Sequence, residues 1–347
     1  MRKIISLLII SFIAIPLFSS SISALSRADA VLTSNDTEYA FSHNPAFLAA
    51  KNYSISIPVN VRLYNAKALL SNDIIRHIND LGSEDEERVL NSLLDILREF
   101  NSTMPLMRLS ERISFSAGGF GMNLSLKEEV VTSGGSVGTT LSASILAELS
   151  SAFAFQCDWD EYSLEIGVKP KLLYSVATSP VGIDTAVGIL IDNSIADNVS
   201  LNRSMAVALD AGAYASFPHG LRAAIVLRDI GFSADEGFPS KAFSLDAALG
   251  YGVSWSFLSL DLEAGLRDIT GVRTSVDLMR AFNAGLSIGI TDFITINAGI
   301  NGGYPSFGAE LDLFFVNIAV AYYYQDYGVV YGLSPRDVLA LEVSLSF

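Results

Sequence analysis

Three histidines and one cysteine are the only imidazole and thiol groups in this chain of 347 residues. His43, His77 and His219 are scattered and show none of the close spacings by which a zinc site gathers its ligands. Cys157 has no second cysteine to pair with, so the chain needs no disulfide to fold and cannot anchor a metal cluster through thiolates. A hydrolytic site would need a nucleophile with a base placed beside it. His43 instead precedes an Asn-Pro pair, His77 falls in a helical pattern and His219 sits in a Pro-His-Gly turn. No glycine-rich nucleotide loop follows a strand, and Gly134-Gly135 reads as a turn. The expectation is no catalytic group, no metal and no cofactor: the chain is not an enzyme.

What must be positioned is therefore a surface or a passage, and the composition says in which solvent. Hydrophobic residues make up 50%, mean hydropathy is +0.40, and charged residues are 17% against about 25% in an ordinary soluble domain. Yet the longest apolar run after residue 18 is 318–324, far below the roughly 20 residues of a membrane-crossing helix. The net charge of −15 argues against a nucleic-acid partner. The start of the chain reads as an export signal. Arg2 and Lys3 precede an apolar core over 4–18, and small residues follow, so residues 1–24 are expected to be removed near Ala24.

Period-two alternation then dominates. Tyr53, Ile55, Ile57, Val59, Val61 and Leu63 share one face; further on, Leu258, Leu260, Leu262, Ala264 and Leu266 oppose Ser259, Asp261, Glu263, Gly265 and Arg267. Buried parallel strands would be apolar on both faces. Runs of this length, apolar on one face and polar on the other, suit tilted strands crossing a bilayer, where an open sheet edge would leave backbone groups unpaired in hydrocarbon. An all-β, closed transmembrane antiparallel barrel follows. About 13 strands can be counted, so 14 is preferred and 12 is possible, with 109–133 too long for a single crossing. Tyr53, Tyr64, Trp159, Tyr162, Trp255, Tyr322, Tyr324 and Phe347 are candidates for the aromatic belts at the two interfaces. One region breaks the pattern. Over 67–100 the apolar spacing is helical, with Ser83 and Glu86 forming a capping box, so a helical insertion is expected there; 180–199 could hold a second.

The last residues alternate as Leu339, Leu341, Val343, Leu345 and Phe347, and a terminal Phe on an amphipathic strand resembles the signal read by the barrel-assembly machinery of outer membranes. The segment His43-Asn44-Pro45-Ala46-Phe47-Leu48 resembles the Asn-Pro-Ala motif near the mature start of FadL-like outer-membrane transporters. With 221–232, 296–306 and 318–332, it is also similar to the related PorV and UPF0164 branch. The resemblance spans most of the chain. It implies a 14-stranded barrel at residues 51–347 whose N-terminal segment, 25–50, folds into the lumen as a hatch, with Asn44, Pro45 and Ala46 at its motif. It implies passive transport of small hydrophobic molecules such as long-chain fatty acids, released sideways through the wall. Phe41, Phe47 and Leu48 are then candidates to line the ligand path.

The expected partners are outer-membrane lipid, a hydrophobic small molecule and the assembly machinery, with the protein a monomer. Two other readings remain open at this stage. Inward carboxylates such as Asp246, Asp261, Glu263 and Glu310 would bias a water-filled porin toward cations. A PorV-like role in docking secreted proteins is the other.

Overall fold

The computed structural model describes residues 21–34, 40–49, 53–69, 104–135, 138–182, 200–236, 238, 243–270, 278–291, 293–327 and 334–347, with isolated positions between them. Fourteen long strands form the wall. They are β1 (Ser54–Tyr64), β2 (Met104–Ala117), β3 (Phe120–Gly135), β4 (Gly138–Trp159), β5 (Tyr162–Thr178), β7 (Leu201–Ser216), β8 (Leu221–Ala234), β9 (Ser244–Ser254), β10 (Leu258–Leu266), β11 (Phe282–Ile290), β12 (Ile294–Asn301), β13 (Tyr304–Leu313), β14 (Val316–Asp326) and β15 (Pro335–Ser346). The two-residue β6 (Val181–Gly182) adds only a short pairing on β4.

Each long strand pairs antiparallel with the next, and β15 returns to β1 through nine matched positions from Ser56↔Ser346 to Tyr64↔Val338. That last ladder closes the barrel, so no long strand keeps a free edge. The stretch 109–133 is the missing fourteenth strand. Gly118 and Gly119, both at positive φ, make the two-residue hairpin that turns β2 into β3. Both glycines lie in the left-handed region, which a side chain would strain.

The alternation in sequence becomes the two sides of the wall. In β1 the odd positions face out, while Ser56, Asn60, Arg62 and Tyr64 are buried inside. In β15, Leu341, Val343 and Leu345 face out and Ala340, Glu342 and Ser344 face in. Tyr64 therefore corrects one expectation. It does not reach an interface, because its even position places it with Asn60 and Arg62; it is fully buried, edge-on to Tyr327 at 6.0 Å. The turns at one end, which also carries the C-terminus, are all short. There, Tyr53, Trp159, Trp255, Phe314, Phe315 and Phe347 are exposed, with Phe315 stacked on Phe347 at 6.0 Å. Aromatic rings gathered at one level of an apolar exterior, with Tyr53, Trp159 and Trp255 carrying a polar group, fit a membrane–water boundary.

The opposite end bears the longer connections. The helical insertion expected at 67–100 lies largely outside the described residues, apart from the short helix Ala66–Leu69 and scattered positions. The same holds for 180–199 beyond β6. No helix among the described residues is long and apolar enough to cross a membrane.

Candidate functional site

The lumen is occupied by the chain's own N-terminal region, which enters it in two described pieces. The first, 21–34, begins with a short helix, Ile22–Ser26, capped by the Ser21 hydroxyl, which accepts from Ala24 N–H at 3.2 Å. Asp29 N–H then bonds back to Ala24 O at 2.6 Å, and Ala28 and Asp29 take positive φ as the chain reverses. The second piece, 40–49, holds two 3₁₀ turns, Ala40–Ser42 and Pro45–Leu48. Asn44 caps the latter through its Oδ1, which accepts from Ala46 N–H at 3.1 Å. Pro45 suits the first position of such a turn, since its missing N–H would have had no partner there. Asn44 also ties the two pieces together: its Nδ2 donates to Leu32 O at 3.3 Å and to Ala213 O of β7 at 3.5 Å.

Wall glycines seat both pieces. A Cβ on Gly285 would fall 2.5 Å from Arg27 O, on Gly250 2.1 Å from Thr33 Oγ1, on Gly167 2.4 Å from Pro45 C, and on Gly212 2.1 Å from Asn44 Oδ1. Gly299 and Gly308 meet Ala28 and Ser26 in the same way. These six glycines are thus sites where the backbone or short side chains of the N-terminal segment press against the wall. The sequence carries this signal, as glycines at the polar parity of otherwise regular strands, but only a known lumen occupant gives it meaning.

Apart from Arg267, the charges divide between the two pieces. Wall carboxylates hold the N–H groups and the arginine of 21–34. Glu263 accepts from Leu32 N–H at 2.9 Å, Thr33 N–H at 2.7 Å and Thr33 Oγ1 at 2.6 Å. Glu342 accepts from Ile22 N–H at 3.1 Å, and Asp261 pairs with Arg27 at 2.6 Å. Arg267 pairs with Asp29 at 3.1 Å. Wall cations hold the second piece. Arg112 donates to Ser42 Oγ at 2.5 Å, Lys169 to Ser42 O at 3.2 Å and Arg228 to His43 O at 3.0 Å. Burial, reinforced by Arg112, Arg228, Arg267 and Lys169, holds the His43 imidazole well below its ordinary pKa.

Asn44, Pro45 and Ala46 come together as the expected turn, each fully or nearly fully buried against β5 and β7. Phe41, Phe47 and Leu48 are all completely buried. Phe41 and Leu48 pack with Ala152, and Phe47 meets Tyr214 edge-on at 5.1 Å. The described cavities are lined by other residues. One, of about 460 Å³, lies toward the short-turn end and is bounded by Ser23, Arg27, Arg222, Asp261, Glu310 and Asp312. Another, of about 470 Å³, lies toward the long-loop end and is bounded by Leu25, Asp29, Arg62, Arg108, Arg280 and Tyr323. Residues 22–29 stand between them. A third hollow, about 730 Å³ and apolar, lies on the outer face of β9–β13, where Ala264, Ala284 and Ala298 leave a depression behind the hatch-bearing glycines. Among the described residues, no group of three or more His, Cys, Asp or Glu is arranged to hold a metal ion.

No protein-family model matches the chain, and no curated protein does. Among solved structures, the toluene transporter TodX of Pseudomonas putida is 10% identical, with 95% of this chain and 98% of that one aligned and a TM-score of 0.49. The toluene transporter TbuX of Ralstonia pickettii is also 10% identical, over 95% and 98%, with a TM-score of 0.48. A FadL homologue of Pseudomonas aeruginosa is 12% identical over 96% and 99%, with a TM-score of 0.44. The ladder that closes on itself through β15 and β1 identifies the chain, independently of these likenesses, as a 14-stranded closed antiparallel β-barrel.

Proposed function

We propose that the protein is a non-catalytic outer-membrane channel for the passive uptake of small hydrophobic and amphipathic molecules, long-chain fatty acids among them, and that residues 21–34 are its gate. The short-turn end faces the periplasm, as is usual for such barrels. One observation carries the reading: two luminal cavities of similar size stop at opposite sides of the same short segment, 22–29. The outer cavity combines Arg62, Arg108 and Arg280 with Leu25 and tyrosine rings, a lining that suits a charged head joined to an apolar tail. Shifting residues 22–29 would join the two cavities without breaking any wall ladder. The resemblance of 43–48 to the FadL-like motif supports the same cargo class.

A cross-link tests the gate. The pair Leu32→Cys and Ala248→Cys, in a Cys157→Ser background, ties 21–34 to β9, because the two side chains share one buried cluster. Cells lacking their own fatty-acid channel should take up labelled oleate when the pair is reduced and lose that uptake when it is oxidised. Equal uptake in both states would remove the gate. The porin reading has one observation in its favour, the carboxylates Asp261, Glu310 and Asp312 of the inner cavity. It requires steady cation-selective conductance in planar bilayers from the unmodified protein, and a closed baseline would sink it.

A further inference from the structure

We infer that export processing cuts the chain between Ser21 and Ile22, and that the Ile22 α-ammonium so created pairs with Glu342 inside the barrel. Two independent requirements meet at this bond. The first is chemical. Signal peptidases accept small residues at the first and third positions before the cut. Ser21 with Ser19 satisfies that rule, and so does Ser23 with Ser21; a cut after Ser20 would place Phe18 at the third position, and a cut after Ala24 would place Ile22 there.

The second requirement is the fold, which needs Ile22. Its side chain is fully buried in a cluster with Tyr64, Ala319, Ala321, Tyr323, Val338 and Ala340, drawn from β1, β14 and β15. Cuts after Ser23 or Ala24 would take Ile22 away and empty that cluster. Only the Ser21–Ile22 bond satisfies both requirements.

The cut hydrolyses one amide bond. Water supplies a hydroxyl to the Ser21 carbonyl carbon, the Ile22 nitrogen leaves with the proton, and at neutral pH the products are a carboxylate and an α-ammonium. Ser21 and Ile22 are 1% and 0% exposed in the folded barrel, so the cut precedes folding, on the chain as it leaves the export channel. The charge created is met by a group already in place. Glu342 is fully buried on β15, and its Oε2 lies 3.1 Å from the Ile22 nitrogen and 3.3 Å from Asn60 Nδ2. As an ammonium, that nitrogen makes a charge-assisted bond where a neutral amide would make an ordinary one. The cut also removes the Ser21 hydroxyl that accepts from Ala24 N–H, so the charged pair takes over the anchoring of the helix start. The mature chain would then begin inside the wall, fastened to the closing strand pair β1–β15.

Two measurements test the inference. Intact mass and N-terminal sequencing of the protein isolated from outer membranes should give Ile22 as the first residue; Leu25, Ala24 or any other start overturns the cut. Amine acylation then tests the pair on the same protein. In the folded barrel the α-amine should react more slowly than in the urea-unfolded chain by about tenfold or more, and Glu342→Gln should restore most of the rate. Equal rates in folded and unfolded wild-type protein would overturn the pairing whether or not the variant folds, and slow labelling that Glu342→Gln leaves unchanged would overturn it as well.

Discussion

Apart from the pair of Arg267 with Asp29, the two halves of the hatch are gripped by opposite chemistry. Residues 21–34 offer N–H groups and an arginine to wall carboxylates, Glu342, Asp261 and Glu263, and polar cavities flank them on both sides. Residues 40–49 offer the Ser42 hydroxyl to Arg112 and carbonyls to Lys169 and Arg228, and pack Phe41, Phe47 and Leu48 against the wall. Polar clamps beside water-sized space can open at modest cost, because water replaces a lost bond. Apolar side chains packed without space cannot, because opening leaves a hole or exposes the ring. The difference makes 40–49 the anchor, and the moving part is the polar-clamped stretch between Ile22 and Leu32, two residues whose own side chains are packed into the wall. It also gives the inward acidic residues a role that a porin lining would not: they are clamps for a bound segment.

The largest expected effect lies in the anchor. Phe47→Ala removes a fully buried ring that meets Tyr214 at 5.1 Å, and should cost about 3–5 kcal/mol of local stability. Hydrogen exchange in detergent should show the amides of 44–49 opening far more often, with 22–26 changed much less. A loss below about 1 kcal/mol would mean that this half is not packed as an anchor.

Glu263→Gln is the matching change in the gate. It weakens three bonds to one carboxylate, each worth roughly 1.5–3 kcal/mol when charged, although the amide oxygen can keep part of them. Exchange at 30–34 should rise while 44–49 stays protected, and oleate uptake should increase. Faster exchange at 30–34 without faster uptake would separate the clamp from the gate and break the comparison at its functional end.

Much of the wall was legible before any coordinates, because a half-lipid, half-luminal strand repeats the same two-residue pattern at every turn of the barrel. Closure was legible for the same reason, since exposed edges are not permitted in lipid. A direct count of strands reaches about 13, and the even number expected of such barrels raises it to the 14 observed; the extra strand comes from 109–133, a hairpin whose mark is Gly118-Gly119. Tyr64 was misplaced by residue type, while its parity with Asn60 and Arg62 already assigned it inward. Asn44, Pro45 and Ala46 were legible as one motif, and the structure brings them together in a single buried turn. Its seats were not. Which glycine lies under which hatch residue depends on contacts over large separations, such as Gly285 beneath Arg27, and no local pattern encodes them.

The smallest effect is a pH dependence confined to one half. His43 is buried among Arg112, Arg228, Arg267 and Lys169, which with burial hold it neutral in the fold. A depressed folded-state pKa means that the opened segment binds a proton that the closed one does not. Its stabilising contribution is complete above the unfolded value of about 6.5 and is lost as pH falls through that value toward the folded one. Opening of 40–49, followed by hydrogen exchange corrected for the intrinsic pH effect, should therefore increase between pH 8 and pH 5. The segment 21–34 contains no histidine and should not follow it over that range. His43→Gln should flatten the response of 40–49 while keeping the Arg228 bond, which is made to the backbone carbonyl. If both halves loosen together, or if the variant keeps the wild-type slope, then the imidazole does not report the anchor, and the two halves open as one unit.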